Sequence, residues 1–250
     1  MIAATCYKPM KMKNYLSFGG GVNSIALYLY LVDQKIDFEA VFVNHGTDWP
    51  ETYEYVNMFK KKYPLTILKP KVKRGNVFYS SLYDMCFERK IKPHYGKGRW
   101  CTINFKRDTL KRYQKPPCFV LLGIDFGEQH RAHIVTDGGF EYRYPLIENE
   151  INRDGCIEII KQHGLPVPPK SGCYICPYQK LEEWVRMRKE KPELFCKAEQ
   201  IERGCNDRRL QEKKRPLCLS IYKVPLRALI KENQKQLWAE NEYPPCECGL

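Results

Sequence analysis

The run Ser17-Phe18-Gly19-Gly20-Gly21-Val22-Asn23-Ser24 lies between a short apolar segment, Tyr15 to Phe18, and a longer one, Ile25 to Val32. The first has the make-up of a buried strand and the second that of a helix packed against a sheet. Strand, glycine turn and helix in that order are the opening unit of an open α/β fold. Three consecutive glycines allow positive φ angles and leave no Cβ atoms in the way, so backbone N–H groups can point together at an anion. A helix starting near Ser24 adds its own unpaired N–H groups and positive dipole end, which suits a phosphate or sulfate. The alternative is a tight turn with no ligand. The run is neither a Walker A loop, since no Gly-Lys-Ser/Thr follows, nor the G-x-G-x-x-G fingerprint.

At 250 residues the chain has room for one large domain, or one domain plus a small appendage. It has no run of 18 apolar residues and no apolar core ahead of a small-residue cleavage site, so the expectation is a cytoplasmic protein with no membrane partner. Twelve cysteines in an α/β pattern without a signal peptide read as thiols of a reducing compartment, some serving a metal or catalysis. The formal charge is +13, from 42 Lys and Arg against 29 Asp and Glu. Such an excess favours an anionic partner, whether nucleotide, sulfate or nucleic acid, although single Lys runs also serve as solvated helix faces.

Phe38 to Val43 reads as a buried strand and ends in Asn44-His45-Gly46-Thr47-Asp48-Trp49-Pro50-Glu51-Thr52, with Pro50 opening a helix to about Lys62. Ligands of open α/β sheets lie beyond the carboxyl ends of the strands, so this loop should face the glycines. His45 alone reads as a loop histidine. Leu65 to Leu68 is a third strand, followed by a basic segment with Lys69, Lys71, Lys73 and Arg74. Arg99 to Arg107 opens a basic helix whose Cys101, beside Arg and Lys, is either a metal ligand or nucleophile or a half-buried structural thiol. Phe119 to Ile124 is a continuous apolar run suited to the sheet centre, and Asp125, Glu128, His130, Arg131 and His133 follow it. A helix is expected from Asp154 to His163. Cys173-Tyr174-Ile175-Cys176 is a Cys-x2-Cys knuckle before a helix from Leu181 to Lys189, its spacing suited to one metal or cluster, with a structural turn as the alternative. With Cys101 brought alongside by the sheet, three thiols would converge.

These residues carry a resemblance. Ser17 to Ser24 resembles the pyrophosphate loop of the adenine-nucleotide α-hydrolase superfamily, Ser-Gly-Gly-x-Asp-Ser, and especially its PAPS-reductase-like branch, which often reads Ser-Phe-Ser-Gly-Gly-Lys-Asp-Ser. Gly19 stands for the second Ser, Val22 for the Lys and Asn23 for the Asp. The family's Asp-Thr-Gly and Phe-Pro-Glu-Thr strand end, which helps hold adenosine, is matched at Gly46, Trp49, Pro50, Glu51 and Thr52, while Asn44 replaces its Asp. Lys106 follows Cys101 as a family Lys follows its Arg-x-Cys or Cys-Cys, with Trp100 in the place of the first thiol. Arg131 fits the family's arginine over the substrate phosphates or sulfate, and Gly172-Cys173-x-x-Cys176 is similar to the cluster-holding pair of iron-sulfur reductases. The end, Glu247-Cys248-Gly249-Leu250, is similar to the Glu-Cys-Gly-Leu-His tail that bears the sulfur-attacking cysteine, and it could equally supply metal ligands or have no task.

The resemblance spans most of residues 15 to 195 and implies a Rossmann-like α/β fold, a mainly parallel sheet with helices on both faces, plus a small helical C-terminal appendage. The expected division is a lead-in at 1–14, a nucleotide-binding domain at 15–191 and a helical region with a Cys-containing tail at 192–250. It implies an adenine nucleotide (PAPS, APS or ATP) held by Ser17, Gly19, Gly20, Gly21, Asn23, Ser24, Asn44, Gly46, Glu51 and Lys106. It further implies catalysis by Cys248 and Arg131, and an iron-sulfur cluster or zinc on Cys101, Cys173 and Cys176. The expected activity is sulfonucleotide reduction or sulfur transfer, with thioredoxin or glutaredoxin as thiol reductant. One alternative is ATP-dependent, iron-sulfur-dependent thiolation of nucleic acid, with Mg if ATP is cleaved. The other is a non-catalytic nucleotide-binding module with structural zinc.

Overall fold

The structure, a computed structural model, describes residues 12–93, 98–133 and 136–229. Strand β1 (Lys13–Phe18) leads through the glycines into α1 (Val22–Asp33), and β2 (Glu39–Val43) into α2 (Pro50–Lys60), which begins on Pro50 as its fixed φ favours. After β3 (Thr66–Leu68) comes a hairpin, β4 (Val72–Arg74) and β5 (Val77–Tyr79), where the sequence suggested only a basic segment. Helix α3 (Leu82–Glu88) follows. A continuous helix, α4, runs through Trp100–Thr102, a wider π turn at Ile103–Arg107, and Asp108–Tyr113. The remaining elements are β6 (Cys118–Leu122), β7 (Thr136–Asp137), β8 (Phe140–Arg143), α5 (Arg153–Gln162), α6 (Leu181–Glu190) and α7 (Pro192–Gln211).

The main sheet has the order β3-β2-β1-β6-β8-β7. Its first five strands are parallel and the β7 edge is antiparallel to β8. β1 and β6 lie at its centre, paired from Lys13↔Cys118 to Ser17↔Leu122. Alternation sends Leu16, Phe18, Phe42 and Leu121 to one face, where α1, α2 and α5 cover them, and Tyr15, Val41, Val120 and Leu122 to the other, with Leu110 of α4. The fold is therefore a Rossmann-like α/β sandwich with helices on both faces.

A second core lies beside the sheet. Trp184 and Met187 of α6 and Phe195 and Ala198 of α7 pack with Met85 of α3, Phe105 of α4 and Tyr174 and Ile175 of the knuckle. Each fully buried side chain of this size contributes about 1.5–3 kcal/mol. Buried Glu202 of α7 accepts N–H groups from Leu219 (2.7 Å) and Leu226 (2.9 Å), which fastens the chain after α7 onto this core. Among the described residues no helix is long and apolar enough to cross a membrane.

Candidate functional site

A cleft of about 600 Å³ opens over the carboxyl ends of β1 and β6, where ligands of open α/β sheets bind. Its floor is the glycine turn. Gly20 has φ +72°, and a Cβ there would sit 3.1 Å from methyls of Thr52 and Val56, so this glycine serves the turn against α2. At Gly21 a Cβ would strike Ser171 Oγ. No side chain caps the start of α1 and its first turn carries no acid, which leaves that end of the helix suited to an anion. Gly123, just past β6, permits the closest approach: a Cβ there would lie 2.8 Å from the backbone N and Cα of Ser24.

Asn23 joins this floor to the far wall. Its Nδ2 donates to Asp125 Oδ2 at 2.9 Å, and its Oδ1 accepts from Arg153 of α5 at 2.8 Å. Asn23 and Asp125 are both buried. One neutral amide thus bridges an acid and a base, each 100 or more positions away, which a carboxylate could not do for both. Arg131 pairs with Glu128 at 2.6 Å and is largely buried at the cleft wall. Lys106, Arg107 and Lys170 complete a basic lining around these two acids.

A smaller cavity, about 140 Å³, adjoins the cleft and shares Gly19, Thr102, Lys106, Lys170 and Ser171 with it. The π turn of α4 carries Lys106 to this shared wall. Cys101, Cys173 and Cys176 all line the smaller cavity, with His45, Asp48 and Trp49 from the loop after β2. The knuckle is stitched to that loop by a short antiparallel bridge, with Tyr174 N–H donating to Thr47 O (2.9 Å) and Trp49 N–H to Gly172 O (3.0 Å).

Within this wall Cys173 Sγ donates to Thr47 Oγ1 at 3.1 Å, and Thr47 Oγ1 lies 2.7 Å from His45 Nδ1. His45 Nε2 lies 3.2 Å from Asp48 Oδ1, close but without good hydrogen-bond alignment, and Lys106 Nζ is 3.8 Å from the same oxygen. Burial opposes the Asp48 charge, yet His45 and Lys106 hold its carboxyl below the usual carboxylate range. Burial pushes the Cys173 thiol far up, and Asp48 adds to this against the opposing Thr47 bond.

For a metal or cluster the fit is poor. The three expected ligands share a cavity, but among the described residues no three His, Cys, Asp or Glu side chains gather closely enough to hold one ion. Cys173 also keeps its proton engaged with Thr47. The arrangement does not fit the expected zinc or cluster on Cys101, Cys173 and Cys176, and no step below runs through one.

Of the residues expected to hold nucleotide, Ser17, Gly19, Gly21, Asn23, Ser24 and Lys106 line the cleft together with Arg131. The rest have other employment. Gly20 packs on α2, Asn44 Oδ1 accepts Gly46 N–H at 3.0 Å within its own turn, and Gly46, at φ +77°, backs onto Ser81. Glu51 faces Lys191 at 3.6 Å. Cys248 lies outside the described residues. His45, read as a loop histidine, is buried, and His130 and His133 do not share a helix, because the 3₁₀ segment Phe126–Arg131 ends before His133. Arg153, Lys170, Ser171 and Thr47 were not singled out, since only the fold brings α5 and the knuckle approach to the glycine loop.

Residues 13–116 match the family model described as the phosphoadenosine phosphosulfate reductase domain. An uncharacterized protein of Methanocaldococcus jannaschii is 28% identical over 212 residues, 76% of this chain and 48% of that protein. The chain thus spans about half the length of that relative. Among solved structures, a phosphoadenylyl-sulfate (PAPS) reductase from Candida auris, in a phosphate complex, is 16% identical with a TM-score of 0.46, covering 67% of this chain and 82% of that one. An FMN adenylyltransferase from Candida glabrata is 15% identical with a TM-score of 0.37, covering 70% and 53%.

Proposed function

Given a chain whose residues 13–116 are a PAPS-reductase-like domain, we propose an enzyme that binds an adenylylated sulfate in the cleft and passes its sulfur to thiols at the neighbouring cavity. The observation that carries this reading is the wall common to both spaces: Gly19, Thr102, Lys106, Lys170 and Ser171 face the cleft on one side and three thiols on the other. A nucleotide whose phosphates lie on the glycine turn and the start of α1 would set its terminal sulfate beside Lys106 and Arg131. A cysteine thiolate, Cys248 in this proposal, attacks the sulfate sulfur. The new S–S bond replaces the S–O bond, and the adenosine phosphate leaves with the electron pair, its charge met by the basic lining. A second thiolate then attacks the sulfur of the S-sulfocysteine, forming a disulfide and releasing sulfite, and an external dithiol reductant of the thioredoxin or glutaredoxin kind restores both thiols.

The test is direct. The purified chain, incubated with PAPS or APS and a dithiol reductant, should release sulfite and the matching adenosine phosphate in equal amounts, and Cys248→Ser should stop it. Binding of PAPS and APS with no sulfite, or full turnover by Cys248→Ser, would sink this mechanism. A second reading, adenylylation by ATP of a nucleic acid that is then thiolated, is favoured by the three thiols beside the cleft and by the +13 charge. Release of AMP or pyrophosphate from ATP only when nucleic acid is present would select it.

A further inference from the structure

The buried chain of polar groups behind Cys173 is more than a packed loop requires. Asp48 is ionised and fixes the tautomer of His45: a carboxylate oxygen 3.2 Å from Nε2 calls for the ring proton on that nitrogen. Nδ1 is then an acceptor, so the hydroxyl 2.7 Å away must donate to it. With its proton so used, Thr47 Oγ1 is left to accept from Cys173 Sγ–H, which is the contact observed at 3.1 Å. Every donor meets an acceptor in one direction only, from thiol to hydroxyl to imidazole.

We propose that Thr47, His45 and Asp48 form a proton relay that converts Cys173 from a resting thiol into an attacking thiolate. The Cys173 proton passes to Thr47 Oγ1 as the Thr47 proton passes to His45 Nδ1. The products are a thiolate and an imidazolium, the latter facing the Asp48 carboxylate. No oxidant or co-reactant is needed. The other groups around the relay are Lys106, Tyr53, whose hydroxyl oxygen accepts Asp48 N–H at 3.1 Å, Tyr174 and Cys101. Lys106, on the wall shared with the cleft, draws on the same Asp48 oxygen, so an anion seated in the cleft would compete for the lysine and strengthen the Asp48 hold on His45. Burial keeps the thiol protonated until an electrophile is present, and Cys173 is only half-buried, so small reagents can reach it. In the proposed reaction this is the second thiol, the one that displaces sulfite.

The purpose assigned to the relay rests on that reading, but its test contains no nucleotide, so either can fail without the other. Alkylation of the full-length chain by iodoacetamide is followed by peptide mass spectrometry at Cys173, with Cys176, which has no such chain, as internal reference. Thr47→Val and His45→Asn should slow Cys173 by about tenfold or more relative to Cys176, whereas Thr47→Ser stays close to wild type. In the wild type the Cys173 rate should follow a group titrating in the histidine range and fall in D₂O. Unchanged labelling in Thr47→Val, equal slowing of both cysteines, or a wild-type rate that follows only an ordinary thiol with no solvent isotope effect would overturn the relay. The last two readouts need no variant and hold even if Thr47→Val does not fold.

Discussion

Replacing Asn23 by Asp isolates the device at the heart of the cleft. The amide donates to Asp125 at 2.9 Å and accepts from Arg153 at 2.8 Å, with Glu128 Oε2 3.4 Å from the same nitrogen. A carboxylate in its place exchanges a charge-assisted hydrogen bond, about 1.5–3 kcal/mol, for oxygen facing oxygen. At an effective dielectric constant of about 20, repulsion from Asp125 and attraction to Arg153 are each about 5–6 kcal/mol at these distances and nearly cancel. Glu128 is more than a third exposed and already paired with Arg131, so solvent and its partner screen most of its repulsion. The remainder is a loss of about 2–4 kcal/mol near neutral pH, or about 5–15 °C in Tm for a chain of this size. Part of it returns on acidification. The folded variant gains by holding one proton between two carboxyls that the unfolded chain releases above about pH 4, so the folded state binds more protons and stability rises as pH falls. Urea midpoints at pH 7.5 and 5.5 for wild type and Asn23→Asp test this. Equal midpoints at pH 7.5, or a deficit no smaller at pH 5.5, would refute the bridging role of the amide.

Gly123→Ala sets a methyl 2.8 Å from the Ser24 backbone, which cannot yield as a side chain would, so it should cost about 1–3 kcal/mol and weaken nucleotide binding, both read from thermal melts with and without PAPS. Lys106→Ala, at the wall between the two spaces, should weaken PAPS or ATP binding by about 10- to 100-fold, equivalent to about 1.4–2.8 kcal/mol by calorimetry. Asp48→Asn removes a carboxylate whose folded pKa is depressed. The stability that group contributes is present above the unfolded value of about 3.9 and is lost as pH falls through the folded one, so the gap between wild type and variant in urea midpoints should be widest at neutral pH and close below about pH 4.

Much of the frame can be read from local pattern. The glycine turn between Phe18 and Val22, Pro50 at the start of α2, the apolar run that became β6 and the knuckle before Leu181 each announce themselves within a few residues. β8 and the β4–β5 hairpin do not, because strands of three or four residues with half-polar faces carry too little periodicity to stand out from a loop. The site divides in the same way. Ser17, Asn23 and Arg131 sit where a strand end or loop places them, whereas the partners that define their chemistry come from far along the chain: Arg153 to Asn23, and Cys173 to Thr47. His45 shows the limit most plainly, since burial, not residue type, separates a loop histidine from a base, and burial is a property of the assembled fold.

The two backbone bonds that tie Tyr174 to Thr47 and Trp49 to Gly172 make the knuckle a rigid extension of the sheet. Cys173 and Cys176 ride on the jaw that carries the carboxyl end of β2, while Cys101 and Lys106 ride on α4, the opposing jaw. Any widening of the thiol chamber to admit a bulky sulfur donor or acceptor is therefore a displacement of α4, hinged where its wider turn already departs from regular winding, and it carries the phosphate-side lysine with it. Entry of a partner and the grip on the nucleotide are in this way a single motion.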